Sequence, residues 1–201
     1  MLHDLGLLCV AIIAALGSPG PVTLSLAGTG ATFGARRSLR FLVGILAGLV
    51  ITITLSAIGV SALLAQGGLL LFAAVAVSIT YLGYLAYKIG MAPILAATEI
   101  TQLQAPRARD GFLVAITNPK AYAVISAIFA GFTLPVEPRI LGMVATGAVL
   151  WGVTFLIDIA WLMGGQFLMP VFASRKWGRG IRVGFAIIMV LSVLVGFSSF
   201  L

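Results

Sequence analysis

The chain has 201 residues, of which 61% are hydrophobic and 8% charged, and its mean hydropathy is +1.20. A water-soluble domain of this size carries about 25% charged residues, so the chain lacks the polar side chains to cover itself in water and reads as a membrane protein. Its net charge of +7 does not point to nucleic acid, because the basic residues lie in breaks between apolar runs rather than on one soluble surface.

The opening residues, MLHDLG, hold no Lys or Arg, whereas a cleaved signal needs a basic leading region. The first apolar run is therefore expected to be an uncleaved span. A bilayer core about 30 Å thick takes roughly 20 apolar residues of helix, and only helices satisfy their own backbone there. In chain order the candidate spans are about residues 5–30, 41–65, 69–88, 111–132, 140–164 and 181–200.

The first span is interrupted by Ser18-Pro19-Gly20-Pro21. Pro19 and Pro21 donate no N–H, so the carbonyls of Ala15 and Gly17 lose their helical partners. Ser18 and Gly20, each preceding a proline, are pushed out of helical geometry. After the span come Arg36, Arg37 and Arg40; the second carries Gly44 and Gly48, a spacing (shared by Gly30 and Gly34) that lets helices approach closely. Tyr81, Tyr84 and Tyr87 near the end of the third span fit headgroup anchors, and Lys88, Arg107 and Arg109 follow.

Residues 91–110, with two prolines and mixed charge, form the longest connection. The fourth span is broken by Asn118-Pro119-Lys120, where Pro119 strips the partner of the Ala115 carbonyl. The fifth contains Asp158, and Arg175, Lys176, Arg179 and Arg182 follow it. Ten positive charges fall on one side and only Arg139 on the other, which places both termini outside.

Three spans followed by three imply an all-α protein of two inverted three-helix repeats. It is a single transmembrane domain over 1–201, with repeats at about 1–90 and 111–201 joined by a cytoplasmic loop at about 91–110. Transporters of that plan place their sites where helices are interrupted at corresponding positions. The candidate substrate-binding set is accordingly Ser18, Pro19, Gly20 and Pro21 with Asn118, Pro119 and Lys120. Freed carbonyls could accept from a cation, and amides after a break could donate to a carboxylate. The bland alternative is that the prolines only kink the helices.

Lys120 and Asp158 are the charges inside spans, where insertion costs about 2.5–3.5 kcal/mol each. Lys120 could hold a carboxylate or a proton, or snorkel to an interface. Asp158 could bind an ammonium or carry the coupling proton. A Lys120–Asp158 ion pair that merely holds the bundle is the alternative. His3 and Cys9 are single of their kind, so no metal site, disulfide or cofactor is expected.

Taken together, Gly17-Ser18-Pro19-Gly20-Pro21, YLGYLAYKIG at 81–90, NPKA at 118–121 and Asp158-x-x-Trp161 resemble the lysine exporter and homoserine-threonine resistance (LysE/RhtB) family. That resemblance implies a six-helix, non-enzymatic exporter of amino acids or related zwitterions in a bacterial inner membrane, driven by the proton gradient through alternating access. Val22 stands where many members carry Asn after the PGP, which leaves room for a less polar or bulkier substrate than lysine or threonine. The expected partners are an amino-acid substrate and the lipid bilayer, with a homodimer left open.

Three other readings compete. A divalent-cation transporter would want several carboxylate oxygens, and only Asp158 lies in the spans. An enzyme or redox relay would need a partner for Cys9 or His3. The third is a non-transporting scaffold.

Overall fold

The computed structural model describes residues 2–59 and 104–172 throughout, and beyond them residues 76, 80, 83–85, 87, 174, 177–181, 183–185, 187, 188 and 191. The helices with continuous bounds are α1 (Leu2–Leu16), α2 (Pro21–Phe33), α3 (Ala35–Ala57), α4 (Ala108–Ile116), α5 (Pro119–Gly131), α6 (Arg139–Phe167) and the short α7 (Met169–Phe172). No strand occurs among the described residues.

Two helices, α3 and α6, are long and apolar enough to cross a membrane unbroken. The pairs α1–α2 and α4–α5 pass the same test as bent units, with angles of 66° and 58° at their breaks. These four units match the expected first, second, fourth and fifth spans. Most of the expected third and sixth spans, the turn at 66–68, residues 91–103, Tyr81, Lys88, Arg175, Lys176 and Arg182 lie outside the described residues. Tyr84 and Tyr87 are helical and exposed.

The prolines define both bends. Pro21 and Pro119 occupy the first turns of α2 and α5, where the missing N–H breaks no helical bond and the fixed φ suits helix entry. In the following turns Leu24 N–H reaches the Gly20 carbonyl at 2.9 Å and Tyr122 N–H reaches that of Asn118 at 3.4 Å. Each broken unit is thus two short helices joined at an angle, not one kinked helix.

The second span begins earlier than its hydropathy suggests. Expected at about 41–65, it runs over Ala35–Ala57, and one residue, Gly34 (φ 79°), makes the whole connection from α2. A positive φ is cheap only for glycine, so the chain reverses there and helix resumes at once. Arg36, Arg37 and Arg40 therefore ride the first turns of α3 instead of a loop. The Ala35 N–H donates to Gln166 Oε1 at 2.9 Å, tying this start to the end of α6.

At the centre lies α2, buried from Thr23 to Phe33. It packs on α6, whose buried residues Gly142, Thr146, Leu150, Thr154, Asp158, Leu162 and Gly165 recur almost every fourth position, as a packing ridge does. A Cβ on Gly30 would strike the Leu162 carbonyl, and one on Gly165 would strike the Ala27 carbonyl. The α3–α4 crossing is equally tight: Gly44 lies on the Ala108 backbone and Gly111 on the Phe41 carbonyl. Around these crossings Leu26, Phe41, Ile45 and Leu162 form one core cluster, and Leu8, Ile12, Ile125 and Leu150 anchor another.

Overpacking such crossings costs about 1–3 kcal/mol. Gly44→Ala, Gly111→Ala and Gly165→Ala should each lower the unfolding midpoint of the purified protein by that scale, whereas Gly152→Ala, whose Cβ would meet nothing within 4 Å among the described residues, should leave it unchanged.

Candidate functional site

Both breaks open on one cavity. Its walls include Ser18, Gly20 and Thr23 from the first break, Asn118 and Lys120 from the second, Thr52 from α3, and Thr154 and Asp158 from α6. The cavity measures about 40 Å³, room for a few waters but not for an amino acid. The site is too narrow for an amino acid in this conformation.

The carbonyls stripped by proline are not left open to a ligand, contrary to the sequence-based expectation. Ser18 Oγ donates to the Ala15 carbonyl at 2.8 Å, and Trp161 Nε1 donates to that of Gly17 at 3.1 Å. The Ala115 carbonyl accepts from Asn118 N–H at 3.3 Å. Thr52 Oγ1, bifurcated between Gly48 at 3.1 Å and Ala115 at 3.4 Å, supplements it. Buried polar groups of this kind are rarely left unpaired, and the protein fills each one itself.

The carbonyls that do meet a cation are one step further on. Lys120 Nζ donates to Ser18 Oγ at 2.7 Å, to the Ser18 carbonyl at 3.0 Å and to the Pro19 carbonyl at 3.3 Å. An ammonium has three donors, and all three are spent on the opposite break. Gly20 lies directly beneath it, and a Cβ there would lie 3.1 Å from Lys120 Cδ, close enough to push the lysine aside by a few tenths of an ångström. Thr23 completes the turn: its hydroxyl accepts from Gly20 N–H at 2.8 Å, the reciprocal half of a capping box.

Asp158 is the converse. It is 1% exposed, and neither carboxyl oxygen has a hydrogen-bond partner among the described residues. The Lys120–Asp158 ion pair considered from the sequence is not made. Two further buried oxygens on the same cavity, Asn118 Oδ1 and Thr154 Oγ1, are also without partners. Isolated buried charge is costly, so this wall of acceptors calls for a proton or a cationic group.

Every residue named from the sequence belongs to one of the two breaks or to the cavity wall. Four were missed as site residues: Thr23, Thr52, Thr154 and Trp161. Thr154 had a signal, one turn before Asp158 on the same helical face. Trp161 belonged to the Asp158-x-x-Trp161 pattern, but nothing in the sequence paired it with Gly17.

The model of the LysE type translocator family matches residues 13–197, a stretch that contains both breaks and Asp158. The chain belongs to the LysE type translocator family. A membrane protein of Vibrio cholerae serotype O1, described as uncharacterized, is 31% identical over 184 residues, covering 89% of this chain and 83% of its own. No solved structure matches the chain. The chain is thus a multi-pass membrane protein whose two broken helical units pack through Leu8, Ile12 and Ile125 and are bridged by Lys120.

Residues that act through one contact should not behave additively. In a double-mutant cycle on this translocator, Lys120→Met and Ser18→Ala should show a coupling of about 1–2 kcal/mol in unfolding free energy; additive losses would mean that the contact contributes nothing.

Proposed function

We propose that the chain exports amino acids or closely related small zwitterions across a bacterial inner membrane, coupled to protons, by alternating access around the cavity between its breaks. The observation that carries this reading is the division of charge in that cavity. Lys120 presents an ammonium whose three donors are held by the opposite break, and Asp158 presents an unpaired carboxyl. A zwitterion carries the complement of both.

In this account the incoming carboxylate competes with Ser18 and Pro19 for the Lys120 donors, and its ammonium seats against Asp158, Thr154 and Asn118. Losing the Lys120 bridge lets the two halves part, which a cavity of about 40 Å³ requires before an amino acid can enter. Asp158 takes up a proton from water when the site is empty and releases it back to water as an ammonium arrives to pair with the carboxylate, so proton and substrate alternate. The two halves are inverted repeats that rock about this site. The excess of positive charge beside the described starts of α3 and α4 supports a cytoplasmic side for those ends and a periplasmic side for both termini.

Transport of a divalent cation is less well supported, because no three His, Cys, Asp or Glu side chains gather among the described residues.

The deciding experiment uses proteoliposomes loaded with an amino-acid mixture, with and without an imposed proton gradient. The wild type should release a subset of amino acids faster under the gradient. Lys120→Ala should slow release about tenfold or more, the loss expected for charge-assisted hydrogen bonds. Asp158→Asn should keep amino-acid exchange but lose its response to the gradient. Undiminished release from both variants, or movement of divalent metals instead, would overturn the proposal.

A further inference from the structure

Away from the cavity, where α3 and α4 begin, an open pocket of about 620 Å³ is lined by Arg36, Arg37 and Arg40 of α3, Arg107 at the start of α4, and Gln104. None of the described residues lining it is acidic. The carboxylate next along, Asp110, is turned to its own helix: Oδ2 accepts from Arg107 N–H at 2.6 Å, and Oδ1 lies 3.7 Å from Arg109 Nε.

By itself this is an unfavourable arrangement. Arg36 and Arg40 are four residues apart on one helix face, where like charges repel. They stand on the first turns of α3, which has no acidic residue there, at the end of the helix dipole that disfavours cations. The tight α3–α4 crossing at Gly44 and Gly111 brings Arg107 to the same pocket. Membrane orientation does not ask for this convergence: the insertion signal counts Lys and Arg alike, anywhere near the span.

A phosphate resolves the conflict, since guanidinium forks match its oxygens in pairs. The surface below says where that phosphate comes from. Leu39 and Val43 are 50% and 60% exposed and share the face of α3 that carries Arg36 and Arg40, at helical spacing. A free phosphate would use only the arginines, whereas a phospholipid would use the apolar track as well.

We propose that this pocket seats the headgroup of an anionic phospholipid, with its acyl chains lying along Leu39 and Val43. Basic pockets between membrane helices take such headgroups. The site is independent of what the central cavity carries.

The test counts lipids that stay with the full-length purified protein, by native mass spectrometry, after incubation with phosphatidylglycerol or phosphatidylcholine. The wild type should retain one phosphatidylglycerol per chain and discriminate against phosphatidylcholine. Replacing Arg36, Arg40 and Arg107 by Gln should weaken retention by about fivefold for each charge removed. The triple Arg→Lys variant keeps the insertion signal but loses the paired geometry, and should fall between the two. Arg139→Gln, at the start of α6, should behave as wild type.

A second measurement needs no variant: phosphatidylglycerol should raise the unfolding midpoint of the wild-type protein, and phosphatidylcholine or inorganic phosphate alone should not. Equal retention of both lipids, or a Lys variant indistinguishable from wild type, would overturn the site. Stabilisation by inorganic phosphate without stabilisation by phosphatidylglycerol would overturn the assignment to lipid.

Discussion

One ammonium joins the two broken helical units. Lys120 leaves the first turn of α5 and spends all three donors on Ser18 and Pro19 at the head of the other break. An ionised side chain inside an apolar bundle is tolerated only when its hydrogen bonds are met. The opposite break meets them with two carbonyls and a hydroxyl. The prolines make this exchange available, because a continuous helix would have consumed those carbonyls itself. The α1–α2 and α4–α5 bends, the short glycine floor at Gly20 and the Thr23 cap are the local geometry that this single contact needs.

Around it the protein balances satisfied against unsatisfied groups. The carbonyls of Ala15, Gly17 and Ala115 are each taken by a donor from the chain. Asp158, Asn118 and Thr154 keep four buried oxygens without protein partners on the same cavity. Polar atoms left in that state mark the place where a proton or a ligand belongs. The α6 ridge that carries Thr154 and Asp158 is held by Gly165 against Ala27 and by Trp161 against Gly17, which ties that part of the acceptor wall to the first break.

Much of this is legible in the order of residues alone. Pro19, Pro21 and Pro119 dictate which N–H groups are missing, and so where helices must stop. Lys120 and Asp158 are conspicuous as charges in apolar runs. What proline does not dictate is which donor replaces the one it removes. Ser18 serves Ala15 within its own turn, but the Trp161–Gly17 bond spans 144 positions of sequence and follows only from how α6 crosses the first break. The start of α3 escapes a hydropathy reading for a similar reason. Hydropathy falls at Arg36, Arg37 and Arg40, yet helix geometry resumes directly after Gly34 because a positive-φ glycine reverses the chain in one residue and Gln166 secures the new start.

The most direct test is a distance between the two breaks in lipid. Solid-state magnetic resonance can measure the dipolar coupling of the Lys120 Nζ nitrogen to the carbonyl carbons of Ser18 and Pro19 in selectively labelled protein. The account predicts a clear coupling to both carbons in the substrate-free protein, and its loss when a transported amino acid saturates the site. Absence of the coupling in the substrate-free protein would contradict it.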